Sequence, residues 1–230
     1  MVGAMIEAEL RGIEIVHSDE LPWEESPAPG VWRKRLERVG PAEAGRVTSV
    51  VRYEPQSRFA SHPHPDGEEI LVLDGVFSDE TGDYPAGSFL LNPEGFAHAP
   101  HSDGGCVLLV KLRQYPGEGR ARVNLSVDET TWLPHQTEEG AQRLELYVDP
   151  RHPERIAMMA LMPGIRCAPV VYEGGAELFV LDGDLEDEHG TYRTHTWARF
   201  PPGTGHRLQT REGCTFYLKT HHLRGAASAS

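Results

Sequence analysis

The sequence predicts an all-β chain folded as two tandem barrels, and three observations carry that prediction. Apolar runs of strand length recur at short spacing, punctuated by 24 glycines and 18 prolines in 230 residues, and such punctuation ends regular elements. No long stretch carries the periodicity of an amphipathic helix. The second half repeats the first without a gap. Adding 108 to the residue number pairs Glu69 with Glu177, Asp74-Gly75 with Asp182-Gly183, Asp79 with Asp187, Tyr84 with Tyr192, Pro93 with Pro201, His98 with His206, Cys106 with Cys214 and Lys111 with Lys219. A register held over that span is an internal duplication.

In chain order, residues 1–30 hold Leu21-Pro22-Trp23 and Ser26-Pro27-Ala28-Pro29-Gly30 and read as an arm. Residues 31–51 read as a strand, a turn rich in Gly and Pro, and a second strand. Between Gly75 and Gly87, Asp and Gly residues mark a hairpin turn between short strands. Cys106 to Arg113 is a closing strand, and Pro116-Gly117-Glu118-Gly119 ends the unit. The predicted domains are therefore 1–120, the arm with the first barrel, and 121–230, the second barrel, ending in an Ala-Ser tail after Gly225 that is expected to be loose.

The formal net charge of −13 argues against nucleic acid and anionic membrane surfaces as partners, since both select basic patches. No 18-residue apolar run and no basic leader followed by an apolar core is found, so the expected location is cytoplasmic. Cys106, Cys167 and Cys214 are an odd count without CxxC pairing, and read as reduced and mostly buried. Exposed edge strands and the proline-rich arm point to a homodimer.

The chemistry concentrates between His62 and His98. His62 and His64 stand two apart on an extended segment, so both imidazoles face the same side. Glu68 follows four residues later, and His98 lies in Pro93-Glu94-Gly95-Phe96-Ala97-His98. Three nitrogens and one oxygen suit a borderline divalent ion. Glu68 is preferred to Glu69 because it shares strand parity with the histidines, while Glu69 recurs as Glu177 in the other half. There, His62, His64 and Glu68 are replaced by Val170, Tyr172 and Ala176. The second barrel is accordingly expected to be metal-free. Features shared by both halves, Asp79 and Tyr84 among them, read as scaffold. His101 reads as a loop residue, and His189, His195, His221 and His222 as surface.

The pattern resembles the two signature motifs of the cupin superfamily. It runs His62-x-His64, three spacers, Glu68, six spacers and Gly75, then Gly87, five spacers and Pro93-x-Gly95-x-x-His98. Gln56 departs from it, standing where the motif usually has glycine. Within the superfamily the sequence HPHPDGEEILVLDGVFSDETGDYPAGSFLLNPEGFAHAP is similar to the ChrR type, the cupin domain of certain zinc-binding anti-sigma factors, which is related to diketone-cleaving dioxygenases. The resemblance implies two double-stranded β-helix (jelly-roll) barrels and one divalent metal ion per chain held by His62, His64, Glu68 and His98. Zinc is the foremost candidate, with iron(II), manganese or nickel as alternatives. It implies a sensory or regulatory metal-binding protein that takes a small-molecule ligand, or alternatively a metal-dependent dioxygenase acting on a small diketone-like substrate. The helical sigma-binding domain of the anti-sigma factors has no counterpart in residues 1–30, which contain no Cys, so the resemblance is to the sensing portion.

Overall fold

The computed structural model describes residues 12–41, 44–127 and 130–223, and apart from one 3-10 turn its elements are all strands. Leu21–Thr130 form one compact unit; residues up to Glu20 and from Thr131 onward form the other. In the first unit the main sheet runs Val123–Ser126, Ser88–Asn92, Glu68–Asp79, Cys106–Leu112, Arg46–Tyr53, Val31–Val39 and Glu24–Glu25. In the second it runs Glu14–His17, Thr196–Phe200, Ala176–Glu186, Cys214–Thr220, Arg155–Leu161, Ala141–Val148 and Leu133–Pro134. The two orders are the same topology, built twice.

The contacts divide the chain after Thr130 rather than after 120, and residues 12–30 hold two short strands. Glu14–His17 pairs with Thr196–Phe200, and Val123–Ser126 pairs with Ser88–Asn92. Each of these two short strands precedes one barrel in sequence and completes the other. The physical reason is edge protection: Ser88–Asn92 and Thr196–Phe200 would otherwise leave a row of buried backbone groups unpaired. The tail after Gly225 lies outside the described residues. No helix among the described residues is long and apolar enough to cross a membrane.

Alternation explains the cores. On Glu68–Asp79, Ile70 and Val72 join Val31, Tyr53, Phe77, Tyr84, Leu90, Cys106, Leu108 and Val110 in one buried cluster. The duplicate cluster holds Leu178, Val180, Leu185, Tyr192, Ala198, Cys214, Phe216 and Leu218. Burying each large aliphatic or aromatic side chain contributes about 1.5–3 kcal/mol. The three cysteines are free, and burial pushes the Cys106 thiol up to about 11, as expected of a packing residue. Leu71, Phe89 and Leu91, on the opposite face, are also buried, as is Glu69, so residues 70–72 and 89–91 read as continuous apolar runs. His222, expected at the surface, has a buried side chain that sits 2.7 Å from a Glu177 carboxylate oxygen.

Both halves bend at the same place. The register against Cys106–Leu112 steps from Val72 to Asp74, and that against Cys214–Thr220 from Val180 to Asp182. Gly75 (φ 73°) and Gly183 (φ 81°) follow these bulges, and a Cβ at either would overlap the carbonyl oxygen of Gly105 or Gly213.

Gln56 adopts φ 66°, and its duplicate Gly164 adopts φ 78°. The departure from the motif is thus a non-glycine residue held in left-handed backbone, which costs about 1–2 kcal/mol for an L-residue. The gain from glycine is offset in part by the freedom glycine adds to the unfolded chain. We predict that Gln56→Gly raises stability by up to about 1 kcal/mol. The reciprocal Gly164→Gln should lower it by about 1 kcal/mol, since only backbone strain, not crowding, opposes a side chain there. Denaturant midpoints of the two variants check this; equal and negligible shifts would contradict it.

Candidate metal centre

The strand Glu68–Asp79 places Glu68 at its start, pointing into the barrel with Ile70 and Val72. A two-stranded ribbon, His62–Pro63 against Ala97–His98, closes over it with His62 opposite His98. His64, Glu68 and His98 converge: their ligand atoms all lie within 4.8 Å of one another and all three residues are buried. His64 Nε2 lies 2.9 Å from His98 Nε2, and Glu68 Oε2 lies 3.5 Å from the first and 3.4 Å from the second. Ligands each about 2.0–2.2 Å from one ion stand about 3.0–3.4 Å apart in tetrahedral or octahedral shells, so the donor set fits a single divalent ion. Two imidazole nitrogens facing each other this closely need a shared proton or a cation between them.

His62 is placed differently from the other three. Its Nδ1 donates to the Ala60 carbonyl at 2.8 Å, leaving Nε2 as its bare nitrogen. Its ring lies 4.7 Å from that of His64 and 6.0 Å from that of His98, beside the convergent group but outside it. Glu69 points the other way and accepts a hydrogen bond from Tyr115 Oη. His101 Nδ1 lies 3.4 Å from the Ala99 carbonyl and is not in the cluster.

The electrostatics favour a cation. Burial raises the Glu68 pKa, but hydrogen bonding to His98, the electrostatic pull of the neighbouring His64 and His98 and the Asn92 amide bring it below the usual carboxylate value, which favours the ionised form. Asn92 Nδ2 donates to Glu68 Oε2 at 3.1 Å. Burial holds His64 below its ordinary value against the pull of Glu68, so it stays neutral with a lone pair to offer. Burial also pushes His98 down, but the hydrogen bonds and charges of Glu68 and Asp79 outweigh it and raise its pKa.

Asp79 is the residue that sequence reasoning discounted. Its Oδ2 lies 3.0 Å from His98 Nδ1. The ionised carboxylate can only accept, so Nδ1 always carries a proton, and Nε2, which faces Glu68 and His64, is the nitrogen left to give up its proton and offer a lone pair to an ion. Its Oδ1 accepts the Thr81 backbone N–H at 2.7 Å. Arg122, just past the predicted boundary, was missed as well. Its Nη2 donates to Asp79 Oδ2 at 3.4 Å and its Nε to Asn92 Oδ1 at 3.0 Å, and its guanidinium lies 4.4 Å from the Phe96 ring centre. One arginine thus braces the groups behind both Glu68 and His98. No spacing pattern marks Arg122, but Asp79 could have been found by asking which carboxylate reaches a ligand's second nitrogen.

The second barrel keeps the dyad and loses the rest. His206 Nδ1 lies 2.7 Å from Asp187 Oδ2, and its Nε2 lies 3.1 Å from Tyr172 Oη. Ala176 stands opposite Phe200, where the first barrel has Glu68 opposite Asn92. The Phe200 ring lies 4.6 Å from that of His206.

A cavity of about 280 Å³ opens on the first cluster, lined by His62, His64 and Glu68, by the apolar side chains of Tyr53, Phe59, Ile70 and Phe77, and by Arg33, Arg35 and Arg38. Such a volume lies at the small end of ligand sites, about 300–1,000 Å³.

We predict that His64→Ala, His98→Ala and Glu68→Gln each abolish stoichiometric metal binding, and that Asp79→Asn weakens it about 10- to 100-fold. Because ligand nitrogens must be unprotonated and His98 titrates above its ordinary value of 6.5, affinity should begin to fall above pH 6.5 and be lost as the pH drops further. Metal titrations across pH check both; an Asp79→Asn variant with unchanged affinity would contradict the role given to the dyad.

Comparison with known proteins places these observations. The chain matches the ChrR cupin-like domain family over residues 12–116 and again over 120–224. No curated protein sequence matches it. Among solved structures it is similar to a candidate dioxygenase from Nostoc punctiforme, with 14% identity, a TM-score of 0.76, and coverage of 95% of this chain and 86% of that one. An oxalate decarboxylase matches at 13% identity and TM-score 0.67, covering 90% of this chain and 77% of that one. The bacterial pirin of Escherichia coli, solved with nickel(II), matches at 13% identity and TM-score 0.68, covering 91% and 98%. At these identities the structural likenesses establish the fold alone. The two family matches cover most of the chain, and the protein belongs to the ChrR cupin-like domain family, carrying that domain twice.

Proposed function

We propose that the first barrel binds one divalent metal ion through His64, Glu68 and His98, and that a small molecule is bound and converted at that ion. The observation that carries this reading is the cavity that reaches His64 and Glu68. A purely structural ion is normally enclosed by four protein ligands, whereas three convergent ligands beside a cavity leave positions for water and substrate.

The reaction class that fits best is a dioxygenase, in keeping with the description of the Nostoc punctiforme structure, with the diketone-like substrate that the family resemblance implies. A bound divalent ion supplies a Lewis acid that polarises a chelating oxygen pair and, when redox-active, a route to dioxygen. The chain's own groups do the rest. Asp79 holds the proton on His98 Nδ1, Asn92 and Arg122 fix Glu68 and Asp79, and Phe59, Ile70 and Phe77 keep the cavity wall dry. Iron(II) suits this reading. A zinc-holding sensory protein is the second reading, favoured by His62: as a fourth ligand it would close a tetrahedral shell.

Elemental analysis should find one ion per chain, and stripping it with a chelator should lower the melting temperature by mass action. Iron(II)-loaded protein should consume dioxygen when given a small β-diketone such as pentane-2,4-dione, and His98→Ala should not. Stoichiometric metal with no turnover of any β-diketone in any metal form would contradict the enzyme reading and favour the sensor.

A further inference from the structure

The cavity that opens on His64 and Glu68 is basic where it is furthest from them along the sheet. Arg33, Arg35 and Arg38 all line it and all come from Val31–Val39, which lies three strand positions from Glu68–Asp79 in the sheet order. Arg33 and Arg35 share a face by alternation. The register shift between Arg35 and Glu37 inserts an extra residue, so that Arg38 returns to that face. Among the described lining residues Glu68 is the only carboxylate, although the chain as a whole has 35 acidic against 22 basic residues.

The arginines are poorly neutralised by the protein itself. Arg33 donates to the Ser26 hydroxyl at 2.9 Å, and Arg35 lies 3.5 Å from Glu24, which is half exposed. Burial and the adjacent Arg35 charge both disfavour the Arg33 cation, with Glu24 offsetting part of the cost. A partly buried cluster of like charges facing a cavity is stabilised by an anion placed among them.

The duplication supplies an internal control. Arg33, Arg35 and Arg38 pair with Val51, Ser49 and Val47, and the corresponding partners Met159, Ala157 and Arg155 pair with Arg143, Glu145 and Val148. One arginine survives in the second half, and Glu145, standing where Arg35 stands, holds it in a two-pronged pair, with Nε and Nη2 each 3.0 Å from a carboxylate oxygen. The second barrel therefore neutralises its arginine within the strand, and the three-arginine cluster occurs only in the barrel that has the candidate metal ligands.

We propose that the small molecule bound in the first barrel carries a carboxylate at the end away from His64 and Glu68, held by Arg33 and Arg35 with Arg38 at the rim, and a short apolar middle against Val51, Phe59 and Leu108. This deepens the metal-centre reading and rests on it for the ligand's other end. Planar guanidinium groups match a carboxylate two hydrogen bonds at a time, and the small cavity suits a compact organic acid.

The test uses the full chain, apo and zinc-loaded, titrated calorimetrically with succinate, glutarate and adipate. Butyrate, dimethyl glutarate and inorganic phosphate are the comparison probes, and metal content is measured on every sample. At least one dicarboxylate should bind the zinc-loaded protein at least tenfold more tightly than the neutral diester, more weakly as salt rises. Arg33→Gln and Arg35→Gln should each weaken it about tenfold or more. Arg38→Gln, on an exposed side chain that tolerates change, should weaken it less, and Arg33→Lys should recover part of the loss. Arg143→Gln should have no effect, and metal content should be unchanged in all of these variants. Equal binding of diester and diacid, tighter binding of phosphate, no binding of any dicarboxylate at millimolar concentration, or affinities indifferent to Arg33, Arg35 and Arg38 would each overturn the proposal. If the chain holds no metal yet binds dicarboxylate through these arginines, the metal reading fails and the anion site stands; stoichiometric metal with arginine-independent binding is the reverse.

Discussion

The hydrogen bond between a buried aspartate and the inner nitrogen of a histidine is the constraint on which the site depends. Asp79 fixes which nitrogen of His98 carries the proton, and that decides whether the imidazole presents a lone pair or a hydrogen to the barrel interior. The hairpin that supplies Asp79 is set by the bulge after Val72, by the left-handed Gly75 and by Thr81, whose backbone N–H caps the carboxylate. The same chain of causes operates at Asp187 and His206. An oriented imidazole is thus a property of the repeated scaffold, and what a given barrel does with it is decided by the residues added around it.

In the first barrel those additions are an imidazole, a carboxylate and the amide that holds the carboxylate. In the second, Tyr172, Ala176 and Phe200 stand at the same positions, so the oriented histidine meets a phenol and an aromatic ring instead. Burying an ionised carboxylate without a cation or hydrogen bonds would cost several kcal/mol. The replacement of Glu68 by alanine and of Asn92 by phenylalanine in the duplicate is therefore a coupled change, with the polar pair lost together.

Much of this was legible in the sequence. The repeat and the all-β class follow from alternation, spacing and the offset of 108, and of the four ligands read from the motif His64, Glu68 and His98 converge while His62 stands beside them. Two things were not legible, for different reasons. Asp79 was set aside because both halves have it, on the reasoning that a shared residue is scaffold; here the shared residue orients the chemistry in both halves. The places of Glu14–His17 and Val123–Ser126 were hidden because each pairs with a strand far from it in sequence, and short strands carry too few residues for periodicity to reveal a partner. Arg122 was lost with the second of these segments.

If His64, Glu68 and Asn92 are what convert an oriented histidine into a metal centre, supplying their counterparts should convert the other barrel. The most direct measurement is the metal stoichiometry of the folded variant Tyr172→His/Ala176→Glu/Phe200→Asn, compared with the unaltered chain. Two ions per chain are expected, the second lost again on His206→Ala; a folded variant that holds no more metal than the unaltered chain would contradict the account.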